Sequence, residues 1–218
     1  MNPGSLEYGA APSCSGYTSI GRYFRAMANI LALAFMCSTD VWSADTKEWV
    51  QLRDCKYLDH AHNDGDSFQV RCGTEELIVR LYFVDAPESN LRYPERVREQ
   101  AEHFGITLDE TLHSGKQATK TVQETLQRPF VVWTRWASGG GRTKVPRVLC
   151  MVEVGETGLA ELLLSSGLAR NKGVTAKRPY GVSSREALPR LQALEQEAQR
   201  QHRGAWATSK LGTIQDSQ

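Results

Sequence analysis

The stretch that decides the fold is Leu77-Ile78-Val79-Arg80-Leu81-Tyr82-Phe83-Val84, an apolar run interrupted only by Arg80. A run of this length and composition predicts a central β-strand that is buried on both faces. A guanidinium in the middle of such a strand is costly to bury unless it meets an anion or faces a wet cleft. Arg80 is therefore expected either in a structural ion pair with a neighbouring carboxylate or in a functional site.

The segment before this strand carries a hairpin signal. Asn63-Asp64-Gly65 is typical of the turn between two antiparallel strands. Cys55 and Cys72 lie symmetrically about that turn, so a hairpin would place them opposite each other. An exported protein could oxidise this pair to a disulfide, and two buried free thiols are the alternative. Cys150, inside an apolar run, is expected to be a core thiol.

The segment after the strand alternates helical and extended patterns. The helical patterns cover 94–104, about 108–126 and 159–168, and a last helix begins near Pro189; the extended patterns cover 130–136 and 147–154. Five strands, with helices inserted after the third and beyond the fifth, predict an α+β fold that is mainly β. We expect a five-stranded Greek-key barrel of the OB-fold type with three or four helices.

Composition sets broad limits on function. The chain has 218 residues with 26 Lys and Arg against 25 Asp and Glu, which allows a buried core and argues against a disordered or fibrous chain. The net charge is only +1, so the overall charge of the chain gives no reason to expect binding to nucleic acid. The charges are nevertheless separated: residues 45–124 have 10 basic and 16 acidic residues, and residues 135–178 have 8 basic and 3 acidic. A solvated face is the usual explanation, but the basic segment could also hold a polyanion.

The first 44 residues differ from the rest. Arg22 and Arg25 precede an apolar run of 12 residues, which is too short to span a bilayer as a helix, since that needs about 20. Val41-Trp42-Ser43 before Ala44 is typical of a signal-peptide cleavage site. The alternative is a short buried helix.

This interpretation gives the expected organisation of the chain. Residues 1–44 would be a leader, 45–207 the folded domain and 208–218 a C-terminal tail. The protein is then expected to be secreted or periplasmic, and monomeric, with no membrane partner beyond an uncleaved leader. A start at Met27 is also conceivable, although it would remove both arginines.

Three carboxylates surround the strand that carries Arg80. Asp66 starts the strand expected to pair nearby, and Asp85 and Glu88 flank Pro87 just after the strand that carries Arg80. Each alone would be an ordinary turn or surface residue. Together they could converge at one edge of the barrel, where oxygen ligands of this kind suit a hard cation such as Ca²⁺.

The ordered motifs resemble the staphylococcal nuclease (thermonuclease) family. They are Asp64-Gly65-Asp66-Ser67, then Arg80-Leu81-Tyr82-Phe83-Val84-Asp85-Ala86-Pro87-Glu88, then a strand led by Arg147 and a helix ending in Gly167-Leu168-Ala169-Arg170. The resemblance runs from about Trp49 to Trp206. It implies an OB-fold phosphodiesterase that uses Ca²⁺ to hydrolyse DNA and RNA.

The resemblance also implies a metal site. Asp66 and Asp85 match the calcium-binding carboxylates of the family by position. Ala86 matches a residue whose backbone carbonyl also ligates the ion, so the loss of the usual threonine hydroxyl need not remove the ligand.

The same resemblance implies the catalytic groups. Glu88 matches the proposed general base, while Arg80 and Arg147 match the two phosphate-binding arginines. Hydrolysis must deprotonate a water beside an anionic phosphodiester while charge grows on the phosphoryl oxygens, so a cation and two guanidinium groups would stabilise that charge.

The chain departs from the family where substrate is held. Lys144 is retained, but Val145 replaces a nucleotide-contacting tyrosine, and residues 171–175 lack the two tyrosines found there in the family's type member. Tyr180 is the possible replacement, although it could equally be a loop or core aromatic. We take the substrate-binding residues to be Lys144, Arg170, Lys172 and Tyr180. The segment 89–114 is also longer and adds a helix near the site.

Two other functions compete with a nuclease. A catalytically silent OB-fold module that binds nucleic acid or protein would be expected to lose one or more of the five charged site residues, and none is missing. An exported calcium-binding structural domain would explain the carboxylates but neither Arg80 nor Arg147. The sequence therefore favours a nuclease with a nucleic-acid substrate.

Overall fold

A computed structural model describes residues 48–140, 145, 147–179 and 183–211. The expected leader, the alternative start at Met27, and the predicted substrate residues Lys144 and Tyr180 lie outside this part. The boundaries proposed for the leader, domain and tail stay predictions. None of the helices in the described part is long and apolar enough to cross a membrane.

The described residues form six strands. They are β1 (Val50–Leu58), β2 (Ser67–Cys72), β3 (Glu75–Leu81), β4 (Phe130–Ser138), β5 (Arg147–Val154) and the short β6 (Thr157–Gly158). The sheet order is β3-β2-β1-β4-β5-β6, and β3 also pairs with β5, in parallel, so that five strands close into a ring. The predicted five-stranded OB-fold barrel is confirmed.

The hairpin between β1 and β2 forms where the sequence predicted it. Asn63 fixes the turn, since its Nδ2 donates to the Leu58 carbonyl at 2.8 Å and its Oδ1 accepts from the Gln69 amide at 2.9 Å. The register places Cys55 and Cys72 opposite each other, and the two are joined by a disulfide. Of the two possibilities that the sequence left open, a disulfide or two buried free thiols, the structure has the disulfide.

Within the described residues, four helices and a 3₁₀ turn pack around the barrel. They are α1 (Pro94–Phe104), α2 (Leu108–Thr125), α3 (Leu159–Ser165), α4 (Ser184–Arg200) and the 3₁₀ turn Gly204–Thr208. The number of helices agrees with the sequence prediction, but the start of α4 near Pro189 was wrong. Ser183 and Glu186 form a capping box that begins the helix earlier, so Pro189 lies inside it.

The strand β3 ends three residues earlier than the apolar run predicted. Phe83 adopts a positive φ of 71°, which an L-residue rarely adopts and which turns the chain out of the sheet. Tyr82, Phe83 and Val84 are nevertheless buried in the core. The hydrophobicity of these residues therefore reflects packing after the strand, and the turn brings Asp85 beside Arg170 in an isolated antiparallel bridge.

Candidate active site

The predicted convergence of Arg80 with the two aspartates is present. Asp66 lies immediately before β2, and Arg80 on β3 is paired in register with the next residue, Ser67. The Arg80 Nη2 lies 3.0 Å from the Asp66 Oδ2 and 3.2 Å from the Asp85 Oδ1. Arg80 thus bridges the two carboxylates that the sequence placed in a metal site.

Asp85 is the centre of a larger polar network. Its Oδ1 also lies 2.7 Å from the Arg96 Nη2, while its Oδ2 lies 2.8 Å from the Arg170 Nη2 and accepts from the Arg170 Nε at 2.9 Å. The Gln100 Nε2 donates to the same Oδ2 at 3.0 Å. A carboxylate offers about four lone-pair positions, so Asp85 is saturated by donors from this chain.

Glu88 is held by helices α1 and α2. Its backbone amide donates to the Gln100 Oε1 at 2.8 Å, and its Oε1 lies 2.8 Å from the Arg96 Nε. Helix α2 approaches the same backbone closely at Gly115, where a Cβ would lie 2.4 Å from the Glu88 carbonyl oxygen. The inserted helices therefore position the residue expected to act as general base.

Burial and charge act in opposite directions on the site carboxylates. Burial alone would raise the pKa of Asp85, but the hydrogen bond from Gln100 and the charges of Arg96 and Arg170 lower that pKa below its ordinary value. The pKa of Glu88 is raised, chiefly by burial, despite the nearby Arg96. Burial likewise raises the pKa of Asp66, although Arg80 partly opposes the shift. The pKa of Asp85 is thus lowered while the pKa values of Glu88 and Asp66 are raised, because the arginines and Gln100 outweigh burial only at Asp85.

Arginines from three elements line one open pocket of about 290 Å³. They are Arg80 of β3, Arg147 at the start of β5 and Arg96 of α1. Gly139 lies against two of these side chains, since a Cβ at this position would be 3.1 Å from the Arg147 Cγ and 3.3 Å from the Arg80 Cβ. The Arg147 Nε is buried and finds no hydrogen-bond acceptor within the described part of the chain. The pocket is suited to an anion.

The other predicted substrate residues are placed differently. The side chain of Arg170 is only 4% exposed and, besides Asp85, pairs with Glu99 at 3.3 Å. This differs from the substrate contact expected from the sequence, because the guanidinium is committed to a buried carboxylate. Lys172 is exposed but also pairs with Glu99.

The expected calcium ligands fit the ion in chemistry but not fully in arrangement. The Asp66 and Asp85 oxygens are hard donors, as Ca²⁺ requires, and the negative charge of Asp66 is incompletely compensated. However, the Ala86 carbonyl accepts from the Gln100 Nε2 at 2.9 Å, and Asp85 is surrounded by arginines. Among the described residues, no three acidic, histidine or cysteine side chains are grouped as a metal site.

Sequence reasoning missed Arg96 and Gln100, both in the inserted helix α1. Gln100 is fully buried, in line with Val97, Ala101 and Phe104 on the inner face of the helix. A polar residue on an otherwise apolar helical face was the available signal, because burying an amide requires hydrogen-bond partners. Arg96 lies one turn earlier and so points to the same side.

Comparison with known proteins gives one family. A family model described as staphylococcal nuclease homologue matches residues 78–208. The match includes Arg80, Asp85, Glu88 and Arg147 but begins after Asp66. No curated protein matches the chain.

Proposed function

This chain belongs to the staphylococcal nuclease family, and on that premise we propose that it hydrolyses phosphodiester bonds of DNA, RNA or both with the help of Ca²⁺. The observation that carries the proposal is the open pocket shared by Arg80 and Arg147. A site built only for structure has no need of two guanidinium groups from different strands beside an anion-sized space.

The two arginines act on the phosphate. A guanidinium presents a planar set of N–H donors that matches two phosphoryl oxygens at once. Since Arg147 has an unsatisfied buried Nε, an entering phosphate supplies an acceptor that the described part of the chain does not. Charge develops on the phosphoryl oxygens during attack, so donors already in place stabilise the transition state without reorganisation.

Glu88 is the proposed general base. A carboxylate whose pKa is raised by burial accepts a proton from water more readily than an exposed one. Its backbone is fixed by Gln100 and by the close approach of Gly115, which gives the carboxylate a defined position. Glu88 would orient the attacking water and remove its proton.

Calcium would be held by Asp66, Asp85 and the Ala86 carbonyl. When bound, it would neutralise charge on the phosphoryl oxygens and lower the pKa of a bound water. Arg80, which already contacts both aspartates, keeps the two carboxylates together and joins this site to the pocket.

A digestion assay tests the proposal. Purified protein lacking residues 1–44 is expected to cleave single-stranded DNA or RNA in the presence of Ca²⁺, and cleavage should stop when a chelator is added. The assay is repeated at several salt concentrations, because binding to a polyanion weakens as salt rises. Binding to either nucleic acid without cleavage would instead favour the silent binding module. That alternative has one observation in its favour, the saturation of Asp85 by protein donors.

Arg147→Lys is expected to lower the cleavage rate about 100-fold, because an ammonium cannot reproduce two parallel hydrogen bonds to phosphate. The change keeps the charge and breaks no ion pair known among the described residues. The measurement is kcat/KM on a single-stranded oligonucleotide, with the exposed Arg128→Lys as the control. A rate equal to that of the control would remove Arg147 from the phosphate site.

We also infer that the protein is exported. The Cys55–Cys72 disulfide supports this proposal, because such bonds persist in oxidising compartments and are rare in the cytosol. Mass spectrometry of the protein recovered outside the cytoplasm should find a mature N-terminus near Ala44.

A further inference from the structure

Arg96 occupies a position that neither the family motifs nor the sequence assigned. Its Nη2 lies 2.7 Å from the Asp85 Oδ1 and its Nε lies 2.8 Å from the Glu88 Oε1. One guanidinium therefore binds both an expected calcium ligand and the proposed general base. The two carboxylates are 7% and 14% exposed, respectively, so their charge is compensated mainly by groups of the protein.

We propose that Arg96 is a resident cation that competes with the divalent ion for Asp85 and thereby sets the calcium affinity of the site. The inference rests on the proposed calcium-assisted function. Arg80 already shares the Asp85 Oδ1 with Arg96, so a divalent ion would add a third cation at this oxygen, and cations in contact repel each other strongly in a partly buried site. Binding of the ion therefore favours the displacement of one of the arginines.

Among the three arginines around Asp85, Arg96 is the one suited to leave. Arg170 is 4% exposed and engages the Asp85 Oδ2 with two nitrogens, and Arg80 is tied to two aspartates. The Arg96 side chain is 41% exposed. Displacing it removes the closer of the two guanidinium contacts on the Asp85 Oδ1, leaving Arg80 at 3.2 Å, and keeps the buried contacts on the Oδ2.

The surroundings of Arg96 provide a place for it to go. Its side chain already lines the pocket formed with Arg80 and Arg147. Helix α1 need not move, since it is anchored one turn later by Gln100, which bonds the Asp85 Oδ2, the Ala86 carbonyl and the Glu88 amide. The exchange between Arg96 and the divalent ion is thus a side-chain motion on a fixed helix.

Calcium titration separates this role from a structural one. Isothermal titration of Ca²⁺ alone would be compared for the wild type, Arg96→Gln and Arg98→Gln. Arg98 belongs to the same helix and pairs with Glu95 at the surface, so both variants lose one positive charge from α1. Arg96→Gln is expected to bind Ca²⁺ at least about tenfold more tightly than the wild type, and Arg98→Gln to match the wild type.

A second variant guards against loss of folding. Arg96→Lys keeps the charge, but one ammonium cannot span both carboxylates as the planar fork does, so its calcium affinity should fall between those of the wild type and Arg96→Gln. Circular dichroism would establish that each variant is folded.

The possible outcomes are distinguishable. Equal or weaker Ca²⁺ binding by folded Arg96→Gln overturns the competition while leaving the calcium-assisted nuclease intact. Failure of the wild type and of all the variants to bind Ca²⁺ at millimolar concentration overturns both proposals. A tenfold gain in Arg98→Gln as well would show only the effect of net charge and would also overturn the role of Arg96.

Discussion

Replacing Asp85 by asparagine should lower the free energy of unfolding by about 3–5 kcal/mol at neutral pH, the usual cost of breaking a buried ion pair by removing one partner. Asparagine keeps the shape but removes the charge that compensates Arg170 and Arg96. Arg170 is the most affected, because its side chain is buried and Glu99, at 3.3 Å, is the ion-pair partner that it would keep among the described residues. Chemical denaturation at pH 7 measures the change.

The stability difference should depend on pH in a defined direction. The pKa of Asp85 is lowered in the folded protein from an ordinary value of 3.8. A carboxylate of this kind contributes its full stabilisation above the ordinary value, and the contribution disappears as the pH falls through the lower folded-state pKa. The difference in free energy of unfolding between the wild type and Asp85→Asn should therefore be largest near neutral pH and should decrease in acid.

An exposed ion pair provides the control for Asp85. Glu76 pairs with Arg71 on the surface of the β2–β3 hairpin, and exposed pairs are worth at most about 1 kcal/mol. Glu76→Gln should therefore leave the unfolding curve almost unchanged. A similarly small effect of Asp85→Asn would mean that Asp85 does not hold the three arginines in place.

The fold was largely predictable because its signals are local. Asn63-Asp64-Gly65 forms the hairpin, since the turn needs only nearby hydrogen bonds. The start of α4 was missed because a proline is typical of a first helical position, whereas the capping box of Ser183 and Glu186 begins the helix before Pro189. The end of β3 was missed because hydrophobicity does not reveal the positive φ at Phe83.

The candidate site was predictable only in part, because some of its residues are brought together by packing between distant segments. Asp66, Arg80 and Asp85 could be placed together because strand pairing fixes their neighbourhood. Arg96 and Gln100 reach the site only through the packing of α1 against the barrel, which no spacing in the sequence specifies. The burial of Arg170 could not be foreseen either, since a basic residue after a Gly-Leu-Ala segment is compatible with both solvent and ion pairing.

Glu88→Gln should reduce kcat for nucleic-acid cleavage by about 10²–10⁴-fold, the range typical of losing a general base. Glutamine preserves the length of the side chain and can still accept a hydrogen bond, but it cannot take a proton from water. The backbone contacts of Glu88 with Gln100 and near Gly115 involve no side-chain carboxylate, so the loop should keep its position. Affinity for a non-cleavable oligonucleotide should consequently change little.

The matched control for Glu88 is Glu95→Gln, which removes an exposed carboxylate at the start of the neighbouring helix α1. It should keep a rate close to that of the wild type, because Glu95 pairs at the surface with Arg98 and contacts no site residue known in the described part of the chain. Equal rates for Glu88→Gln and this control would contradict the assignment of the base. A large fall in kcat accompanied by an equal fall in oligonucleotide binding would instead assign Glu88 to holding Arg96, because the loss of a general base is expected to slow the chemical step without weakening binding.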